Sequence, residues 1–347
     1  MQSLDNIKEN AFICSLTKCF EHPDYQVNKL HESDAEILAL PQTDSDTCLA
    51  VTTDSIVEEI ETGLYDSPYL CGWMAVMANL SDLAAVGAEP LGLLLSQTFP
   101  KDEEQSRIML LQKGINDACK KAGTYILGGD ISSSDKMFIT GTALGIIDRQ
   151  KLMTRRGSNA GDIVFSSSLL GAGNGFALSK FSGLDNLRLN YLPVARLTES
   201  KLIRNYSSSC MDTSDGLIAS LDQLMRINNI GFSINSSLDS IICPESLSIA
   251  NKAGIPEWLL LAGQHGEFEL LFTIPVENLE KFLDDSSKIQ FNPIRLGIVT
   301  ETQEINLNID GRQVRIDSEW IRNLTQSTKS VQEYISALMS YNESFQK

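Results

Sequence analysis

The sequence predicts a two-domain chain of mixed helices and strands, α+β or α/β, and three observations carry that expectation. The chain has 347 residues, room for two domains of roughly 100–200 residues each. Helix-like and strand-like segments alternate irregularly rather than in a repeating rhythm. The polar stretch Asp148 to Lys151 falls where a boundary between two such halves is expected. The division that follows is 1–149, 150–325 and a C-terminal helix within 326–347.

Taken in order, a helix is expected within the first twenty residues. Cys48 to Thr53 is rich in strand formers and ends at Asp54. Ser67 and Pro68 supply the cap and first-turn proline of a long helix, which stops at Gly87. Leu70, Trp73, Met74 and Met77 recur on it at helical spacing and form its core face. Asp82 falls instead on a face shared with Ala78, Ala75 and Cys71, small residues that let a ligand approach; the plainer reading is a partly exposed surface carboxylate. A second helix is expected over Asp102–Ala122, then strands over Tyr125–Leu127 and Phe138–Ile146. Asp162–Ser166 reads as a strand with a Ser- and Gly-rich stretch to Gly175 behind it. Within that stretch Gly171-Ala172-Gly173-Asn174-Gly175 lacks the GxGxxG spacing of a dinucleotide site, and reads as a flexible turn or a glycine-rich substrate wall. Leu217, Leu221, Leu224 and Met225 mark a helix, Leu270–Ile274 and Ile294–Val299 strands, and Val331, Tyr334, Ile335, Leu338 and Met339 a terminal amphipathic helix.

Composition bounds the function. The chain is 42% hydrophobic and 21% charged, as a globular protein with a substantial core should be. Acidic residues outnumber basic ones 45 to 28, for a formal charge of -17. A nucleic-acid surface would need clustered Lys and Arg; the acidic excess serves solubility, or in part awaits bound cations. No apolar run reaches the ~18 residues of a membrane span, and Met1 to Asn10 lacks the apolar core of a signal peptide. Seven cysteines form no CxxC and read as reduced thiols. Three histidines, His22, His31 and His265, leave little for a zinc site. The expected compartment is the cytoplasm.

The chemistry is carried by aspartates. The tetrad Asp212-Thr213-Ser214-Asp215 precedes Gly216 and a helix, Asp54 ends an apolar run, Asp130 follows Leu127-Gly128-Gly129, and Asp82 closes Asn79-Leu80-Ser81-Asp82. A single aspartate after a strand is usually a turn or a cap. Several can converge on Mg²⁺, which takes oxygen ligands together with substrate phosphates. GxxxxGK[ST], HExxH and GxSxG are all absent from the sequence. Phosphate is therefore expected to be handled by carboxylate-held metals and backbone amides.

In order and spacing, Thr52-Thr53-Asp54, Asn79-Leu80-Ser81-Asp82-Leu83-Ala84-Ala85-Val86-Gly87-Ala88, Gly128-Gly129-Asp130, Thr154-Arg155-Arg156-Gly157 with Gly161-Asp162, and Asp212-Thr213-Ser214-Asp215-Gly216-Leu217 resemble the thiamine-monophosphate kinase family. That family belongs with aminoimidazole-ribotide synthetase, selenophosphate synthetase and the hydrogenase-maturation dehydratases, and the resemblance covers about residues 30 to 300. It implies an aminoimidazole-ribotide-synthetase-like α+β architecture, with an N-terminal α/β domain that dimerises through its sheet and a C-terminal α/β domain. It implies ATP and several Mg²⁺ ions bound at an interface between two subunits, and direct transfer of the γ-phosphoryl group to the acceptor. Residue by residue, Asp34, Asp54, Asp82, Asp130, Asp212 and Asp215 match metal-binding aspartates, with Thr52 and Thr53 as further oxygen ligands. Gly129, Asp130, Arg155 and Ser214 match nucleotide contacts, and Asp82, Asp130 and Asp212 form the expected catalytic set.

The departures fall elsewhere. The family's Gly-Asp-Asp reads Glu32-Ser33-Asp34, a substrate-contacting histidine aligns with Glu61, and Gly266, beside His265, stands where a substrate-contacting glutamate is found. The C-terminal Trp-Gly-Tyr is replaced, Trp320 being followed by Ile321-Arg322-Asn323. Metal and nucleotide positions stay while acceptor positions change. The expectation is therefore an ATP- and Mg²⁺-dependent phosphotransferase acting on a small polar metabolite other than thiamine monophosphate, with Glu61, His265 and Gly266 in the acceptor site. The alternatives are an authentic thiamine-monophosphate kinase making thiamine diphosphate, and an ATP-dependent synthetase or dehydratase of the same superfamily.

Overall fold

The computed structural model describes residues 2–17, 23–40, 46–182, 188–343 and 345. Helix α1 is Lys8–Thr17; residues 18–22, including His22, lie outside the described set. The first half then builds β1 (Glu36–Ala39), β2 (Thr47–Ser55), helices α2 (Val57–Glu61) and α3 (Pro68–Ala85), β3 (Glu89–Pro100), α4 (Gln105–Ala122), β4 (Ile126–Ser134) and β5 (Phe138–Asp148). Its five strands are ordered β1-β2-β5-β3-β4. The second half contains β6 (Ile163–Ser166), α5 (Ala172–Phe181), α6 (Leu197–Ile203), β7 (Ser209–Asp212), α7 (Gly216–Asn228), β8 (Gly231–Ile234), α8 (Leu238–Ile241), α9 (Pro244–Ala253), β9 (Leu270–Ile274), α10 (Val276–Lys288), β10 (Ile294–Thr300), β11 (Ile305–Ile309), β12 (Arg312–Ile316), α11 (Ser318–Leu324) and α12 (Val331–Glu343). Its seven strands run β12-β11-β8-β10-β6-β9-β7. Two mixed sheets, each with its helices, make the α+β class expected from the sequence.

Helix α3 is the hub. Pro68 opens it in the first turn as expected, Ser67 holds the cap position without the side-chain bond a cap would make, and nearly every residue along the helix is buried. Met74, Met77 and Leu80 belong to the core of the first sheet, which also takes in Phe176, Tyr191 and Phe268 from the second half. Ala84 and Ala85 pack into a different cluster with Phe165, Phe272 and Phe282. One helix thus fills two cores, and its burial is worth most where both sheets close on it. Helix α4 lies against it at backbone contact. A Cβ on Gly72 would fall 2.1 Å from the Leu111 carbonyl oxygen, and one on Gly114 would fall 2.1 Å from that of Tyr69.

Strand β3 was hidden in the sequence by Pro90 and Gly92, which ordinarily break strands. The structure absorbs them in a register shift against β5 between Pro90 and Gly92. Strand β4 is longer than expected and carries Gly128, Gly129 and Asp130 inside it, so Asp130 does not follow a strand but sits within one. Among the described residues it pairs with β3 alone, in parallel, and forms the sheet edge. Tyr125, Leu127 and Ile131 are 72%, 57% and 73% exposed there, beside exposed Leu91 and Leu94 of β3. Among the described residues no helix is long and apolar enough to cross a membrane.

The α3–α4 contact leaves no room for a methyl group. Gly114→Ala should cost about 1–3 kcal/mol of stability, read as a lowered melting temperature with the secondary-structure content of the folded protein unchanged.

Candidate active site

The motif Asn79-Leu80-Ser81-Asp82 sits in the last turns of α3, and its polar side chains reach both halves. Asn79 accepts a hydrogen bond from the Asp54 backbone N–H at 3.0 Å, fixing the end of β2. Ser81 donates to the Asp212 carboxylate at 2.7 Å, fixing the end of β7. Asp82 accepts from the Thr52 hydroxyl at 2.5 Å. Alternation along β2 turns Thr52 inward to that contact, while Thr53 is exposed and donates to the Gly141 carbonyl at 2.8 Å. The Asp54 carboxylate accepts from the Ser55 N–H at 2.8 Å.

Oxygens of Asp34, Asp82 and Asp212 lie within 4.8 Å of one another. Asp34 arrives from the segment before β1 and is gripped at both oxygens by Arg155, at 2.8 and 3.2 Å. The Arg155 backbone N–H donates to Glu32 at 2.8 Å, and Arg156 forms an ion pair with Glu32 at 2.6 Å, so 32–34 and 155–156 are zipped together. Burial, then the charge of Asp34, pushes the Asp212 carboxyl up to about 7. Burial, followed by Asp212, Asp34 and Asp54, raises Asp82 well above the ordinary carboxylate range. Asp54 is raised too, by burial first and with Asp215 adding to it. Arg155 offsets a single negative charge, so the remaining carboxylates repel one another. This donor set of hard oxygens, without sulfur or imidazole, fits a divalent cation such as Mg²⁺.

The tetrad forms the strand-to-helix turn between β7 and α7. Gly216 opens α7 at φ +78°, a conformation that favours glycine. Asp215 occupies the cap position but makes no side-chain cap bond, leaving its exposed carboxylate for other partners. The 13-residue helix α7 aims its positive end at this turn, which suits an anion. Beneath it, Thr213 donates to Glu267 at 3.2 Å and accepts from the Glu269 N–H at 3.1 Å. Burial, then Glu269, lifts the Glu267 carboxyl to about 8, while Arg196 holds Glu269 at both oxygens. The Gly171–Gly175 stretch is a packing seam against this layer, since a Cβ on Gly173 would fall 1.9 Å from the Gly266 carbonyl oxygen.

The other expected residues are placed differently. The Ser214 carbonyl accepts from the Gly266 N–H at 2.8 Å. Gly266 itself admits no side chain, because a Cβ would lie 1.5 Å from the Thr213 carbonyl oxygen. His265 is buried against Tyr65 and Tyr191, and burial lowers it to about 4, so it is neutral. Glu61 lies on the surface, 2.7 Å from Lys136. Gly129 is required by close approach to β3, where a Cβ would meet the Leu95 carbonyl oxygen at 1.9 Å. Asp130 is exposed and is not one of the three clustered carboxylates; sheet register aligns it with Ser96, Thr140 and Ser55, one row on from Asp54, Gly141, Leu95 and Gly129. Sequence reasoning passed over Ser81 and Arg196 as individual contacts, and Glu58 and Glu59 of α2. Ser81 had a legible signal, a hydroxyl on a helix otherwise buried all round.

A fold of this kind, with acids gathered between two mixed sheets, defines a class. Residues 32–147 match the family model "AIR synthase related protein, N-terminal domain". The chain is 30% identical over 296 residues to the thiamine-monophosphate kinase of Buchnera aphidicola subsp. Acyrthosiphon pisum, covering 82% of this chain and 88% of that one. It is 30% identical over 275 residues to the Archaeoglobus fulgidus enzyme of the same name, covering 78% and 83%. The structure of AaThiL complexed with AMPPCP and TMP superposes with a TM-score of 0.71 at 25% identity, over 90% of this chain and 96% of that one. The chain belongs to the thiamine-monophosphate kinase family, a family of ATP-dependent kinases.

Raised carboxyls bind protons more readily in the folded than in the unfolded state. Between the ordinary value of 3.8 and about 7 for Asp212, metal-free stability should therefore fall as pH rises. Mg²⁺ should raise the melting temperature more at about pH 8 than at about pH 5.5. Asp212→Asn should remove most of that increment while leaving the metal-free protein at least as stable as the parent at the higher pH. Differential scanning fluorimetry across a Mg²⁺ titration reads both.

Proposed function

We propose that the chain is an authentic thiamine-monophosphate kinase, transferring the γ-phosphoryl group of ATP to the phosphate of thiamine monophosphate to give thiamine diphosphate and ADP. The observation that carries this reading is the meeting of Asp34, Asp82 and Asp212, from three distant segments, beside the N-terminus of α7. The relatives named above support the acceptor, as does the likeness to a structure holding an ATP analogue and TMP. The expectation of a different acceptor loses its footing. Glu61 is engaged with Lys136 on the surface, and Gly266 is a close-packing glycine.

In this reading Asp34, Asp54, Asp82, Asp130, Asp212 and Asp215 hold Mg²⁺, with Thr52 and Thr53 contributing oxygens. When bound, the metal neutralises the crowded phosphates and aligns acceptor with leaving group. Ser81 and Thr52 orient two of the carboxylates, and Arg155 holds Asp34 in place at both oxygens. The positive end of α7, with Ser214, faces phosphate oxygens in this reading, and Gly129 lets the nucleotide approach the β4 backbone.

A homodimer belongs to the same proposal. The exposed apolar row Tyr125, Leu127 and Ile131 on an edge strand, beside Leu91 and Leu94, is a surface that a second copy would cover. Asp130 then lies at the subunit junction. The division at residues 149 and 325 is proposed on the two sheets, although α3 serves the cores of both.

Incubation with ATP, Mg²⁺ and thiamine monophosphate should yield thiamine diphosphate in step with ADP. ADP and free phosphate without the diphosphate would favour the synthetase alternative, and no acceptor-dependent turnover would overturn the reading. Asp212→Asn and Asp130→Asn should each lower kcat/KM by about 10²–10³-fold, the scale of losing one charge-stabilising group. Ile131→Glu should shift the particle mass in light scattering from dimer to monomer; an unchanged mass would remove this face as the interface.

A further inference from the structure

Helix α6 stands between the two halves of the site. With its flanking cap residues it carries Arg196, Ser200 and Arg204, three polar side chains spaced four apart and so turned to one face. That face makes contacts in two directions.

One direction is the end of α3. Ser200 is buried and donates to the Ala84 carbonyl at 2.5 Å, two residues beyond Asp82. Arg204 donates to the Gly87 carbonyl at 2.7 Å, and its stem lies against Gly87, where a Cβ would come within 3.3 Å of it. Gly87 turns the chain out of α3 at φ +81°, and its N–H and that of Ala88 close back on the carbonyls of Ala84 and Leu83. A guanidinium in this place also meets the negative end of an 18-residue helix. The other direction is the turn after β7. Arg196 grips both oxygens of Glu269. The Glu269 backbone in turn accepts from the Thr213 N–H at 2.8 Å and donates to the Thr213 hydroxyl at 3.1 Å. Thr213 directly follows Asp212, so α6 is bonded on one side to the helix of Asp82 and on the other to the turn of Asp212.

Apolar packing alone would not hold that spacing. The core cluster that joins α6 to the end of α3 contributes Ala84, Ala85 and Ile203 there, and small side chains let one helix slide on another with little loss of contact. Hydrogen bonds are directional and resist the slide. The force to be resisted is present, because Asp34, Asp82 and Asp212 repel one another. The single bond from Ser81 to Asp212 limits their distance but leaves α3 free to pivot about it.

We propose that Ser200 and Arg204 are positioning residues, which act through the end of α3, with Arg196 as counter-anchor, to set the separation of Asp82 from Asp212. This rests on the kinase reading above for the identity of the ion. Mg²⁺ demands near-ideal octahedral ligands at about 2.1 Å, whereas Ca²⁺ accepts a looser shell at about 2.3–2.6 Å. A cluster held at a fixed spacing favours the smaller ion, and a cluster set free loses that preference.

Ser200→Ala with Arg204→Met removes both bonds and keeps the apolar stem. Calorimetric titration of the full chain with each metal alone should show the Kd for Mg²⁺ rising about tenfold, the scale for partners that orient metal ligands, while the Kd for Ca²⁺ moves by less than about threefold. With ATP and thiamine monophosphate, kcat should fall with the Mg²⁺ affinity while KM for the acceptor stays within about twofold. Arg204→Lys, which keeps a donor and the charge, should recover most of the loss borne by Arg204→Met. If the double variant does not fold, Ser200→Ala alone gives the same test with a shift of about threefold, since the Ala84 carbonyl keeps its bond from Gly87. Unchanged Mg²⁺ affinity would overturn the inference, and so would an equal loss for both metals, which marks a general loosening. A parent that prefers Mg²⁺, loses the preference in the variants and forms no thiamine diphosphate sinks the kinase reading and leaves this one standing. Thiamine diphosphate from the parent with unshifted metal preference in the variants does the reverse.

Discussion

The hydrogen bond from Ser81 to Asp212 is the contact on which the site depends. It is the point where the helix of the first sheet touches the strand end of the second, and it is buried on both sides. A neutral hydroxyl can satisfy one carboxylate oxygen there but cannot cancel the charge. The fold therefore brings Asp34, Asp82 and Asp212 together at an energetic cost, borne by the packing of α3 into two cores. Local instability of this kind is the ordinary condition of a site preorganised for a cation and a polyphosphate.

The surrounding layers show how that cost is contained. Arg155 balances Asp34 from one side, while the buried layer of Thr213, Glu267, Glu269 and Arg196 holds the turn rigid from below. Glycines do the rest at positions where a Cβ would strike a carbonyl, as at Gly266 and Gly129. These glycines are close-packing devices. Gly266 stands where the resemblance places a substrate-contacting glutamate, and the backbone is packed so closely there that no side chain fits in its place.

Much of this was legible in the sequence. The run of Leu70, Trp73, Met74 and Met77 gave α3 because a fully packed helix keeps its period; of the clustered aspartates Asp212 ends a strand and Asp82 lies on α3, while Asp34, before β1, was legible only through the family resemblance. Strand β3 was not legible, since Pro90 and Gly92 look like breakers until a bulge accommodates them. Asp130 was legible as a residue but not in its setting. Its strand continues through two glycines and three serines, an exposed edge with no alternation to read. Helix α2 shows the limit most plainly. Its acids differ only in which side of a single turn they occupy, so Glu61 faces Lys136 on the surface while one carboxylate oxygen of Glu59 is buried.

The replaced C-terminal motif has a physical reading of its own. Where the family carries a Trp-Gly-Tyr, Trp320 is here followed by Ile321 and Arg322, and Arg322 enters a buried charge network. Asp222 is fully buried and accepts from Arg226 at 2.8 and 3.0 Å, from Ser318 at 2.7 Å and from Arg322 at 3.0 Å. A buried carboxylate is tolerable only when satisfied this completely. The same cluster anchors the start of the chain, since Arg226 donates to the Ser3 carbonyl and Asn10 to Gln223. Burial raises the Asp215 carboxyl, and the charges of Arg322 and then Arg155 oppose that rise. Helix α11 thus serves two contacts at once, since Arg322 joins the Asp222 network while Trp320 stacks on Tyr341 of α12.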